Sequence, residues 1–143
     1  VNNRLHRCFE TDLIPILCIG ESREERELGQ AKDRILRDLG HCLKGLTAFC
    51  VSRMIVAYEP VWAIGTGLTA TPEIAQKAHF WIRDWFNGKY SSEISNGLRI
   101  LYGGSVNPDN ISDLMELPDI DGVLVGGASL NAKSFLKIIH YES

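Results

Sequence analysis

Glu59 stands between an apolar run, Met54–Tyr58, and Pro60, in the stretch YEPVWAIGTG. A carboxylate in that place projects from the carboxyl end of a buried strand, and the proline restricts both its own backbone and that of the glutamate before it. Ile64, Gly65, Thr66 and Gly67 follow, giving apolar cover together with glycines that can act as hinges or offer N–H groups. An aimed carboxylate beside a movable apolar segment suits abstraction of a proton next to a carbonyl, a reaction in which water must be kept from a reactive enediolate. The same glutamate would equally serve in a buried ion pair with an arginine.

Glycine marks the other candidate sites. Gly20-Glu21-Ser22, Gly103-Gly104-Ser105 and Gly126-Gly127 each end an apolar run. Without side chains, such turns let backbone N–H groups approach an anion, and phosphate is the obvious one. Gly126-Gly127-Ala128-Ser129-Leu130, with Asn131 behind it as a helix cap, fits a phosphate cup built on the start of a short extra helix. Paired glycines also make tight turns and nothing more.

Four strand-length apolar runs carry these residues: Ile14–Ile19, Met54–Tyr58, Leu98–Tyr102 and Val123–Val125. They are continuous rather than alternating, which predicts parallel strands buried on both faces. Helical stripes separate them. One comprises Leu28, Ala31, Ile35, Leu39, Cys42 and Leu46; the next holds Ile74, Ala78, Trp81 or Ile82, and Trp85, opened by Thr71-Pro72-Glu73. Asn107-Pro108-Asp109 predicts a third helix with Ile111, Leu114 and Leu117, and Asn131 a fourth with Phe135, Ile138 and Ile139. Leu5, Cys8 and Phe9 suggest the tail of a helix at the amino end. Strand and helix thus alternate, the pattern of an α/β protein with a parallel sheet. Ligands of such sheets meet the carboxyl ends of the strands.

The 143 residues are 45% apolar and 23% charged, with a formal net charge of −3. Basic residues form no block, so no electrostatic footprint for nucleic acid or a membrane surface is present. No apolar run approaches the roughly 20 residues of a spanning helix. Cys8, Cys18, Cys42 and Cys50 lack zinc or disulfide spacing and read as reduced thiols. His6, His41, His79 and His140 form no ligand pair and are expected on surfaces or helix faces. The chain opens on Val1, so a processed product or part of a longer polypeptide is expected.

The run AYEPVWAIGTGLTATPEIAQ, with ILCIGES before it and LYGGSVNPDNISDL and DGVLVGGASL after it, resembles the triosephosphate isomerase family. The resemblance covers the chain from Val1 to Ser143 and implies a (β/α)8 TIM barrel. Only about four βα units, strands 5–8, would lie in this chain, as one partial domain over residues 1–143. It implies an isomerase of glycolysis and gluconeogenesis in the cytoplasm, interconverting dihydroxyacetone phosphate and glyceraldehyde 3-phosphate without metal or organic cofactor. Glu59 resembles the catalytic base. Pro60, Val61, Trp62, Ala63, Ile64, Thr66 and Gly67 resemble the lid. Gly65, Ser105, Gly126 and Gly127 match phosphate-binding positions, Tyr102 a residue that hydrogen-bonds the closed lid, and Glu21 a structural position near the site.

The family's asparagine–lysine pair and electrophilic histidine fall in the first four units, and no histidine of this chain sits at a strand end where it could replace the latter. Activity is therefore expected only with the amino-terminal half, and a homodimer only for the complete enzyme. The alternative is an inactive stand-alone half-barrel that binds phosphate or assembles with another chain. Another phosphate-binding barrel enzyme would share the late glycine cup but not YEPVWAIGTG.

Overall fold

The four apolar runs pair side by side into one sheet. In the computed structural model, which describes residues 1–11, 13–65 and 68–141, they form β1 (Ile16–Ile19), β2 (Ile55–Tyr58), β3 (Arg99–Tyr102) and β4 (Gly122–Val123). All neighbours are parallel, in the order β1-β2-β3-β4. Each strand is shorter than its apolar run. β4 ends at Val123, although the Leu124 N–H still donates to the Tyr102 carbonyl at 2.9 Å.

Helices fill the intervals: α1 (Asn2–Phe9), α2 (Arg23–Glu27), α3 (Ala31–Cys42), α4 (Ala48–Val51), α5 (Pro72–Lys89), α6 (Ser92–Gly97), α7 (Ile111–Met115) and α8 (Ala132–Ile139). α5 opens as its sequence predicts, with Pro72 in the first turn and the Thr71 hydroxyl accepting from the Ile74 N–H. Asn131 likewise caps α8 through the Ser134 N–H. The third helix starts later than expected. Asn107 folds the chain back by accepting from the Asp109 N–H, so α7 begins only at Ile111 and Leu117 lies beyond its end.

The first stripe divides. Ser22 and Glu25 form a reciprocal capping box that starts α2. Gly29, at φ 72°, ends it, with its N–H on the Arg26 carbonyl and the Gln30 N–H on that of Glu25. Leu28 is left 63% exposed rather than joining Ala31, Ile35 and Leu39 in the core. The short helices α4 and α6 are not foreshadowed by a stripe, because each makes little more than one capped turn.

One side of the sheet is packed. Leu17, Val56, Tyr58, Ile100 and Tyr102 meet Ile35 and Leu39 of α3 and Ala78, Ile82 and Phe86 of α5 in a single core. The other side is open, whereas the continuous apolar runs taken by themselves predict burial on both faces. Ile16, Cys18 and Arg99 are exposed and Ile55 and Leu101 half-buried, while Ala57, between Cys18 and Leu101, is small enough to be buried by its neighbours. Among the described residues the helices pack on one face.

Candidate active site

The strand ends stand in step. The Glu59 N–H donates to the Ile19 carbonyl at 2.7 Å, and the Gly103 N–H to the Tyr58 carbonyl at 2.8 Å. This ladder sets Glu59 between Gly20 and Gly103, on the open side of the sheet. A Cβ at Gly20 would fall 1.7 Å from the Glu59 carbonyl oxygen, and one at Gly103 would fall 2.7 Å from Glu59 Cγ and 3.2 Å from Oε1. Neighbouring strands thus reach the glutamate only because both positions lack a side chain. Glu59 is half-buried and has no arginine partner among the described residues, so the ion-pair alternative is not what its surroundings provide. Its carboxylate faces the Cys18 thiol, which burial first, and then that negative neighbour, hold above its ordinary pKa. Cys18 and Glu59 line one recess of about 380 Å³ beside β1.

The segment after Glu59 is fastened at both ends. Pro60 and Ala63 are buried, and Val61–Ala63 make a single 3-10 turn. The Val61 N–H donates to the Glu21 carbonyl at 3.1 Å, and the indole Nε1–H of Trp62 donates to Glu21 Oε1 at 2.8 Å. At the far end the Ala70 N–H donates to the Tyr102 hydroxyl at 3.3 Å. Gly104 leaves room for that hydroxyl, since a Cβ there would lie 2.2 Å from it. Val61, Ile64 and Leu68 are exposed between the fastenings. Gly65 has φ 67°, which a side chain would strain, and is exposed. Thr66 and Gly67, expected in the lid, lie outside the described residues.

Glu21 is the anchor. It is fully buried, and Oε1 takes bonds from Arg26 Nε (3.0 Å) and Nη2 (2.7 Å) and from the Tyr58 hydroxyl (3.1 Å), besides Trp62. Arg26 also donates to the Tyr58 oxygen at 2.9 Å. Burial, then the Glu21 charge, drives the Tyr58 phenol far above its usual pKa. Glu21 therefore acts through Trp62 and Tyr58, in keeping with a structural position near the site.

Two turns follow the ends of the adjacent strands β3 and β4. Ser105 is half-buried, and its carbonyl accepts from Asn110 Nδ2 at 3.0 Å. Gly126 and Gly127 are exposed, and Gly127–Leu130 forms a 3-10 turn just ahead of α8. A Cβ on either glycine would meet nothing within 4 Å. Ser129 closes the turn with its N–H and hydroxyl on the Gly126 carbonyl.

His79 lies on a helix face, as expected, but on the buried one. It is fully buried in α5, with Nδ1 2.8 Å from the Ala75 carbonyl. Its ring stands edge-on to Tyr58 at 5.6 Å and lies 6.3 Å from that of Tyr102. Desolvation pushes its pKa down to about 4. Its place behind the strand ends could have been found from spacing, since it follows Ala75 by four residues on the face of α5 that Ala78 and Ile82 bury. Cys18, read above only as a reduced thiol, could have been found in the same way, two residues before Gly20 on one side of β1.

The model of one family, described as triosephosphate isomerase, matches residues 1–142. The chain belongs to the triosephosphate isomerase family. Proteins named triosephosphate isomerase from Roseiflexus sp. (strain RS-1) and Chloroflexus aurantiacus are 48% and 50% identical to it over 141 and 142 residues, 99% of this chain in each case. The one from Lactiplantibacillus plantarum is 45% identical over 143 residues. These alignments cover 56%, 57% and 57% of the three relatives, so the chain spans little more than half their length. The α/β architecture with its parallel four-stranded sheet accords with the TIM-barrel family. No helix of the described residues is long and apolar enough to cross a membrane.

Proposed function

We propose that this chain carries the proton-transferring base and the phosphate cradle of an aldose–ketose isomerase acting on triose phosphates, dihydroxyacetone phosphate and glyceraldehyde 3-phosphate. The observation that carries the reading is Glu59, aimed from the end of β2 between two glycines that admit it. A carboxylate so placed removes a proton from one carbon and returns it to the next, while the hydroxyl proton passes between the two oxygens through groups that this chain does not supply. Val61 and Ile64 supply apolar cover against water, with Trp62 and Tyr102 as the fastenings of the segment. Gly65, Ser105, Gly126 and Gly127 are assigned to the substrate phosphate.

The four strand–helix units stand, in this reading, as strands 5–8 of an eight-stranded barrel, and turnover belongs to the complete barrel. Two free sheet edges, an open inner face and relatives of nearly twice the length support it. A homodimer in the cytoplasm is the assembly inferred for the complete enzyme. The stand-alone phosphate-binding or assembly module is the weaker reading, because binding phosphate gives no reason to aim a carboxylate at the site.

The test is Glu59→Gln in the complete barrel, with triose phosphate interconversion and phosphate binding measured together. Loss of a general base lowers turnover by roughly 10²–10⁴-fold while phosphate binding persists. Turnover that survived with phosphate bound normally would withdraw Glu59 as the base.

A further inference from the structure

The open face of the sheet carries an arginine, Arg99, that no described carboxylate answers. By strand register Ile16, Ile55 and Arg99 share the row nearest the amino ends, and Cys18, Ala57 and Leu101 the next. Ile16 is 45% exposed, and Arg99 is exposed at the other end of that row, with Ile55 between them. Arg99 has no carboxylate partner among the described residues, although Arg26, Arg34 and Arg83 all do. With Arg53 it lines a recess of about 250 Å³ at the amino end of the sheet, among Ile14, Ser52, Met54, Ile55 and Gly97, and no acid among the described residues lines it.

We propose that this face is a docking surface for a parallel βα segment that presents a carboxylate to Arg99. The inference rests on the barrel reading above and adds the chemistry of the contact. Covering a parallel sheet removes its inner face from water. Arg99 would go with it, and a guanidinium cannot shed its charge. A buried charge must be paired, and the planar fork of arginine suits a carboxylate bidentately. Ile16 and Ile55 in its own row offer it no side-chain acceptor.

The experiment co-expresses this chain with the part of the Roseiflexus sp. relative lying outside the 56% that the chain covers, the latter tagged. The purified complex is followed by exchange of the untagged chain against a fluorescent copy, with wild type, Arg99→Met and Arg99→Lys compared and circular dichroism checking that each is folded. Exchange is expected to quicken at least about 30-fold for Arg99→Met. Arg99→Lys keeps the charge, and a carbodiimide should join its amine to a single carboxylate of the partner, which tandem mass spectrometry locates. Equal exchange for wild type and Arg99→Met overturns the carboxylate contact and leaves the barrel reading standing. Failure of the wild-type chain to co-purify, or its pairing with a second copy of itself, overturns the docking surface and removes the support of that reading too.

Discussion

Replacing His79 by phenylalanine and lowering the pH tests the packing behind the candidate site. The imidazole is fully buried between Tyr58 and Tyr102, whose next residues are Glu59 and Gly103. Burial holds its pKa down to about 4, against an ordinary 6.5. Between those values the unfolded chain binds a proton that the folded chain refuses, so stability rises with pH across the window. The contribution is complete above about pH 6.5, is lost as the pH falls, and levels off below about 4. At about 1.4 kcal/mol per unit, the loss is roughly 3 kcal/mol. Phenylalanine fills a similar space, does not titrate, and leaves the Ala75 carbonyl its helical N–H partner. Urea melts of wild type and His79→Phe at a series of pH values should therefore diverge on acidification, wild type losing the additional roughly 3 kcal/mol. Parallel curves would refute the argument that His79 is held neutral by its surroundings.

Gly103→Ala should displace the Glu59 carboxylate rather than unfold the sheet. The added Cβ lies 2.7 Å from Glu59 Cγ, where ordinary contact begins at 3.4 Å. A shift approaching an ångström lowers turnover of the complete barrel by up to about 100-fold, and an unchanged kcat would mean that the carboxylate has no critical position. Glu21→Gln leaves Arg26 facing a neutral group in a buried network, at a loss of roughly 3 kcal/mol of stability by thermal denaturation. The exposed pair Arg23–Glu27, with side chains 70% and 63% exposed, serves as the control. There Glu27→Gln should shift stability by less than about 1 kcal/mol, and equal effects at the two sites would contradict the anchoring role of Glu21.

Local patterns made the strands and the long helices legible. Apolar runs located β1 to β3, and Thr71-Pro72 and Asn131 located the starts of α5 and α8, because each signal depends on residues within one turn of chain. The position of Glu59 at a strand end was legible for the same reason. What the apolar runs by themselves failed to show was which side of the sheet is covered. Continuous apolar runs predict burial on both faces, yet the open side of β1 and β3 becomes apparent only once the helices have been placed. Leu28 fits the stripe of α3 by spacing, but the capping box at Ser22 and the left-handed Gly29 spend it in a turn. Spacing along α5 sets His79 on the face that Ala75, Ala78 and Ile82 bury. The tyrosines it meets there belong to two neighbouring strands distant in the chain, and no local pattern names them.

The glycines show most clearly where reading a sequence stops. Gly103-Gly104 and Gly126-Gly127 look alike, each ending an apolar run and leading toward a helix, and both suggest an anion. Their surroundings divide them. Gly103 is small because Glu59 occupies the space, and Gly104 because the Tyr102 hydroxyl does. The packing of the chain itself explains that pair, as it explains Gly20, where the Glu59 backbone passes. Gly126 and Gly127 are different, since a Cβ at either would touch nothing in this chain and neither has a positive φ. Sterics within the described residues do not call for glycine at either position. One physical use of a bare backbone at an exposed turn ahead of a helix is to let something outside the chain come close to its N–H groups. The phosphate assignment therefore rests more firmly on Gly126-Gly127 than on the pair that sequence alone makes equally attractive.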